Sequence, residues 1–201
     1  MPILLLATTN SGKIREYRSL FSGLGYHITT LTEQGISKVI AETGSSYEQN
    51  AKAKAIAYAK LSQLITISDD SGLEVDALSG KPGVHSARFA GENTTDEGKV
   101  KTLLSKLNGI PWEKRTACFK CVIAIATPGG QLELCHGECR GMISFERRGV
   151  SGFGYDPIFY LPSIKKTMAE LSFKEKNKIS HRAQASHIAI QLLKQLHKKT
   201  Y

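Results

Sequence analysis

Read for its alternation of apolar and polar positions, the chain opens on an unbroken hydrophobic run, Ile3-Leu4-Leu5-Leu6-Ala7. Such a run predicts a strand buried on both faces, as in the interior of a parallel or mixed sheet. It passes into Thr8-Thr9-Asn10-Ser11-Gly12-Lys13, and a period near 3.6 then takes over. Ile14, Tyr17, Leu20, Phe21 and Leu24 share one helical face, and Gly25 closes the helix. Tyr26 to Leu31 predicts a second strand, followed by an irregular stretch containing Glu42-Thr43-Gly44. Ser46-x-x-Gln49 is a capping box for an alanine-rich helix from Tyr47 to Leu61. Leu64 to Ile67 is a short branched run, a buried strand that stops at Ser68-Asp69-Asp70-Ser71-Gly72, where turn-forming residues predict a break.

The stretch from Gly80 to Gly91 is too broken for a long element. Asp96 to Leu107 predicts a helix with Val100, Leu103, Leu104 and Leu107 inward. Residues 116–127 and 131–137 predict a hairpin around Pro128-Gly129-Gly130, and Cys139 to Glu146 a third strand. Ser172-x-x-Glu175 is a second capping box. Ser180 caps a last helix whose inner face is expected to hold Ala185, Ile188, Leu192 and Leu196. The pattern describes one domain over 1–201 with two lobes. One spans approximately 1–78 and 150–201, and the other, β-rich, approximately 79–149.

Composition changes this picture in three ways. No apolar run approaches ~18 residues, so no membrane span is expected. Met1 to Leu6 lacks a basic leader and a cleavage site, which points to a cytoplasmic protein. The net charge of +9 favours anionic partners. Its lysines are dispersed and not interleaved with aromatics, so a small phosphorylated ligand fits as well as a polynucleotide. Cys118, Cys121, Cys135 and Cys139 have zinc-like spacing, but residues three apart on a strand face opposite ways. Reduced, packed thiols are therefore expected.

Candidate chemistry gathers in five stretches. Strand, small polar loop and helix at Thr8 to Lys13 present backbone N–H groups to a phosphate, with Lys13 adding charge. A P-loop would need Gly at Ala7 and Ser or Thr at Ile14, so the match fails at two defining positions. Asp69 and Asp70 are adjacent carboxylates, an arrangement that a cation or a proton-transfer role would justify. Asn50 and Lys54 share a helical face. Gly152-Phe153-Gly154-Tyr155-Asp156 could bring ring faces to a purine, and Asp156 could accept from base N–H groups. His181 and Arg182, cations in a first helical turn with Lys176 five residues before, read as an anion clamp. Together these parts describe a nucleotide phosphate with a divalent metal, and no Cys or Ser has an evident partner base for covalent catalysis.

Five motifs in order carry a family resemblance: Ala-Thr-Thr-Asn-Ser-Gly-Lys (7–13), Ser-Asp-Asp-Ser-Gly-Leu-Glu-Val-Asp-Ala-Leu (68–78), Pro-Gly-Val-His-Ser-Ala-Arg-Phe-Ala-Gly (82–91), Gly-Phe-Gly-Tyr-Asp-Pro-Ile-Phe (152–159) and Glu-Lys-Asn-Lys-Ile-Ser-His-Arg (175–182). The chain resembles the inosine/xanthosine triphosphate pyrophosphatase family over nearly its whole length. The resemblance implies an α/β fold, elongated and two-lobed, around a long mixed β-sheet with flanking helices and a substrate cleft between lobes. It implies hydrolysis of ITP, XTP and their deoxy forms to monophosphate and pyrophosphate with Mg2+, in a homodimer without a stable nucleic-acid partner.

Carried over by position, Asp70 matches the general base and a metal ligand, and Glu42 a second metal ligand. Ser71 matches a substrate contact, and Lys54 is a further candidate. Thr8, Thr9, Asn10, Ser11, Gly12, Lys13 and Lys176 match phosphate and sugar contacts. Phe153, Gly154, Tyr155, Asp156, His181 and Arg182 match the base pocket, with Arg88 another candidate there. That assignment moves the His-Arg pair from phosphate to base edge, where its donors would suit a 6-oxo acceptor. Tyr155 stands where the family often has Trp, and Thr9 where many relatives have Gly. A basic nucleic-acid-binding protein and a P-loop-like phosphotransferase are the rival classes.

Overall fold

A computed structural model describes residues 1–91 and 94–200, the last four of these by backbone alone. It contains β1 (Ile3–Leu6), α1 (Ser11–Leu20), β2 (His27–Thr30), α2 (Tyr47–Ser62), β3 (Ile65–Val75), α3 (Asp96–Lys106), β4 (Thr116–Ala126), β5 (Leu132–Ile143), β6 (Phe159–Leu161), β7 (Lys166–Thr167), α4 (Phe173–Ile179) and α5 (His181–Thr200). The strands order as β2-β1-β3-β4-β5-β6-β7 in one seven-stranded sheet. The sheet is mixed: β1 runs parallel to β2 and β3, whereas β6 is antiparallel to β5 and β7. Among the described residues no helix is long and apolar enough to cross a membrane.

The chain divides into two compact units. One is Met1–Asp70, Cys121–Gly137 and Arg182–Tyr201, the other Ser71–Lys120 and Glu138–His181. These are not the lobes expected from the sequence, which kept 150–181 with the N-terminal half. Tyr155, Ile158, Phe159, Met168 and Leu171 instead share a core with Leu103, Ala117 and Phe119, so packing assigns that segment to the second unit.

In the first unit β1 has parallel neighbours on both sides, Leu4 opposite Ile28 and Ile65. Its uniform apolarity follows from covering on both faces. Leu4 and Leu6 pack with Tyr17 of α1, with Phe21 at its C-cap, and with Ala185, Ala189 and Leu193 of α5. Leu5 and Ala7 alternate to the other face, against Tyr58 of α2. Asn10 caps α1 by accepting from the Lys13 amide at 2.9 Å. Ser46 caps α2, but Gln49 reaches the Ser45 amide rather than that of Ser46, so the predicted capping box is only half formed.

Three local expectations are corrected. β3 does not stop at Ile67: it runs through Ser68-Asp69-Asp70-Ser71-Gly72 to Val75, and no turn forms there. β5 continues to Ile143, so the expected third strand is the far half of the second. The inward face of α5 is Ala185, Ala189 and Leu193, with Ile188 half exposed. The small side chains let the helix lie close to its neighbours, and the larger apolar residues flank that line of contact. The Ser172/Glu175 capping box of α4 forms as expected.

The second unit is organised by a buried cation. Arg115 donates to the carbonyls of Ile143 (2.9 Å), Leu107 (3.0 Å), Ile110 (3.3 Å) and Ser144 (3.2 Å), and lies over the Phe145 ring. It thereby binds the Leu107 and Ile110 carbonyls past the end of α3 and joins them to the end of β5. Arg115→Met should lower the unfolding free energy by about 3 kcal/mol, since buried carbonyls lose a charged donor. Urea denaturation measures this, and an unchanged midpoint would show that the guanidinium does not hold these groups.

Candidate active site

The sequence-predicted residues fall into two sets, one in each unit. In the first unit they collect around β3. Successive strand residues point to opposite faces, so Asp69 and Asp70, both buried, meet different neighbours. Asp69 Oδ2 lies 2.9 Å from Lys13 Nζ and 3.5 Å from Arg182 Nη2. Arg182 Nη1 also donates to Glu16 Oε2 at 2.7 Å. Burial alone would push the Asp69 carboxyl up, but Lys13, Arg182 and Lys54 outweigh it and hold the group well below the usual carboxylate range.

Asp70 has different company. Its Oδ2 accepts from Asn50 Nδ2 at 2.8 Å, and Asn50 Oδ1 accepts from the Gly44 amide at 2.8 Å. Burial raises the Asp70 pKa and the charge of Glu42 adds to it, while the Asn50 bond, Lys54 and Lys13 only partly offset the rise. Lys54 forms an ion pair with Glu42 and donates to the Asp69 carbonyl at 2.7 Å. Burial pulls its pKa down, but Asp69, Glu42 and Asp70 more than reverse this, so Lys54 is firmly charged.

The loop after β1 leads straight into α1. Thr9, Asn10 and Ser11 are exposed, and Gly12 and Lys13 half-buried. Thr8 Oγ1 accepts from the Asn10 amide at 3.2 Å, which curls the loop at its tip. Ser71 is half-buried where β3 enters the second unit. The four cysteines are unlinked and buried. Cys121 lies 3.9 Å from both Asp69 Oδ2 and the Tyr17 hydroxyl, and burial pushes its thiol up to about 12, away from nucleophilic use.

Among the described residues no group of three or more His, Cys, Asp or Glu is placed to hold a metal. Glu42 and Asp70 are two carboxylates whose charges interact there, and with water and substrate oxygens they could hold a cation. That donor set suits Mg2+. The first-unit cluster holds three cations (Lys13, Lys54, Arg182) and four carboxylates (Glu16, Glu42, Asp69, Asp70). The cluster is therefore one negative charge in excess, on the side of Glu42 and Asp70.

In the second unit the glycine-aromatic loop folds over Asp156. Gly152 and Gly154 have positive φ (80° and 63°), and a Cβ on Gly152 would strike the Asp156 carboxylate. Asp156 Oδ2 accepts from the Phe153 amide at 2.9 Å and forms a buried ion pair with Lys176, whose Nζ lies 4.8 Å over the Phe153 ring. Tyr155 points inward: it is 4% exposed, packs in the core and donates from its hydroxyl to the Ser86 carbonyl at 3.0 Å. The expected stacking ring is thus an anchor, and Phe153 is the half-buried aromatic of this loop. His181 is buried and stacks on Phe119, with centroids 4.7 Å apart. Arg88 is exposed and 3.4 Å from His85 Nδ1, at the end of the Gly83–Arg88 turn.

The anion expected beside the cations of α5 and α4 is thus supplied within the protein: Glu16 and Asp69 for Arg182, Asp156 for Lys176. Sequence reading missed Glu16 and the Asn50–Asp70 bond. The signals were present, Glu16 as an acid three residues after Lys13 and Asn50 as an amide with no surface role on a buried helix face.

The geometry agrees with what comparison with known proteins finds. The Ham1 family model matches residues 4–192. The dITP/XTP pyrophosphatase of Desulforamulus reducens is 46% identical over 194 residues, covering 96% of each chain. That of Bacillus subtilis is 48% identical over 90% of this chain and 91% of its own. The solved Ham1 protein of Staphylococcus aureus superposes with a TM-score of 0.85 at 42% identity, covering 95% of this chain and 97% of that one. The HAM1 protein of Coxiella burnetii gives 0.88 at 42% identity, covering 97% and 100%. Identity of this extent over nearly the whole chain, together with the same fold, places the chain in the Ham1 family.

Proposed function

We propose that this chain is a nucleoside triphosphate pyrophosphatase that hydrolyses non-canonical purine nucleotides, ITP, dITP, XTP and dXTP, to the monophosphate and pyrophosphate. Relatives named dITP/XTP pyrophosphatase at 46–48% identity support the substrate class. The observation that carries the mechanism is Asp70, a buried carboxylate whose affinity for protons is raised while an amide fixes its direction. A base of that kind suits water activation near neutral pH.

In this reading a water oxygen attacks the α-phosphorus as Asp70 accepts its proton. The bond from the α-phosphorus to the bridging oxygen breaks, and pyrophosphate leaves with that oxygen. Lys13 and Lys54 face the charge that develops on the leaving group. Glu42 and Asp70 would hold Mg2+, which when bound neutralises phosphate charge and orients the phosphates. Base selection belongs to the second set. His181 supplies a donor for a 6-oxo group, where adenine presents an amino group, and Phe153 supplies a ring face, with Lys176 kept as a phosphate and sugar contact. Arg182, bound to Glu16 and Asp69, acts at one remove by fixing Asp69.

Product analysis with ITP, GTP and ATP in Mg2+ tests the reading. Monophosphate and pyrophosphate from ITP, well ahead of ATP, are expected. Diphosphate would indicate γ-phosphoryl transfer, and salt-sensitive polynucleotide binding without pyrophosphate release would favour the nucleic-acid class. Asp70→Asn should retain the wild-type melting temperature while kcat falls by about a thousandfold or more. Near-normal turnover would remove Asp70 from the chemistry. Chelation with EDTA should abolish pyrophosphate release and added Mg2+ restore it. Full activity in excess EDTA would exclude the cation from the reaction.

A further inference from the structure

The Phe153 loop is held by a residue outside every motif named so far. Asp96 opens α3, but it is not the helix cap: Thr95 Oγ1 accepts from the Gly98 amide at 3.2 Å and fills that role. The two Asp96 oxygens are used separately. Oδ1 receives Lys99 Nζ at 2.9 Å, and Oδ2 receives the Gly154 amide at 2.6 Å. The preceding amide, that of Phe153, is taken by Asp156 Oδ2 at 2.9 Å. Two consecutive N–H groups are thus captured by carboxylates from two different elements. That fixes the peptide plane between Phe153 and Gly154, and with it the backbone from which the Phe153 ring projects. Gly154 sits at φ +63°, a conformation with little intrinsic preference to hold it there in glycine.

We propose that Asp96 is a positioning residue for base recognition: by accepting from the Gly154 amide it sets the Phe153 ring for the purine without touching substrate. The inference rests on the reading of Phe153 as the base-stacking ring. Burial pushes the Asp96 carboxyl up, but the Gly154 amide and Lys99 more than offset it, so the acceptor stays charged in neutral solution.

The test compares the full chain with Asp96→Ala, Asp96→Asn and Lys99→Ala, using ITP and Mg2+ at steady state and amide exchange at Gly154 by NMR. Asp96→Ala should raise KM for ITP about tenfold, the loss typical of a charge-assisted hydrogen bond, with kcat changed by less than about twofold. Asp96→Asn keeps an oxygen acceptor and should return KM to within about twofold of wild type. Lys99→Ala removes only the ion pair and should leave KM unchanged. The Gly154 amide should be protected in wild type and Asp96→Asn and exchange rapidly in Asp96→Ala. Wild-type KM in Asp96→Ala, or a fall in kcat that tracks a lowered melting temperature, would overturn the proposal. If the wild type releases no pyrophosphate from ITP, the functional reading fails, and the exchange measurement alone then decides whether Asp96 holds the loop.

Discussion

Asp69 keeps a negative charge where only 1% of its surface meets solvent, and the first unit is assembled to make that tolerable. An uncompensated buried carboxylate would cost several kcal/mol. Compensation comes from Lys13 at the start of α1, from Arg182 at the start of α5, and from Lys54 of α2, which reaches the Asp69 main-chain carbonyl. Three helices therefore have to reach β3 before its charge is stable there. Arg182 in turn sits in the first turn of α5, where the helix dipole disfavours it, and Glu16 offsets that penalty. The same contacts that stabilise the unit bring Lys13, Lys54 and Asp70 into one neighbourhood.

What could be read from the chain was what local rules govern. The double-sided burial of β1 followed from an unbroken apolar run, and the caps of α2 and α4 from Ser46 and Ser172. The candidate site residues stand out in the sequence because carboxylates, cations and glycines crowd where an apolar strand or helix is expected to continue. Three features were not legible, each for a tertiary reason. Asp69 to Gly72 look like a turn, and only pairing and salt bridges supplied from elsewhere keep them extended. The phase of α5 was read from its largest apolar residues, but close approach selects Ala185 and Ala189 and leaves Ile188 half outside. Tyr155 was assigned to ligand because rings beside glycines suggest stacking. Its hydroxyl finds the Ser86 carbonyl, which makes inward burial affordable.

In the second unit the constraint is conformational. Asp156 can accept from the Phe153 amide and hold Lys176 only because Gly152 presents no side chain there and turns with positive φ. Any Cβ at that point would displace the carboxylate and leave Lys176 buried without its counter-charge, a far larger penalty than the strain of the turn itself. The glycine is fixed by an ion pair, and the ion pair by the glycine.

The continuity of β3 is what separates two adjacent carboxylates into different chemical species. Had the chain turned after Ile67, as its composition suggests, Asp69 and Asp70 would have shared one environment and raised each other. In an extended strand they point to opposite faces. Burial pushes both up, but Lys13, Arg182 and Lys54 overcome it at Asp69, whereas at Asp70 the charge of Glu42 adds to burial and the Asn50 bond, Lys54 and Lys13 only partly offset the rise. Neighbouring groups whose environments push their proton affinities apart are the arrangement from which an acid–base role can be assigned. Here the parity of a strand separates the two: Asp69, whose proton affinity is lowered, anchors the fold, and the proton affinity of Asp70 is raised.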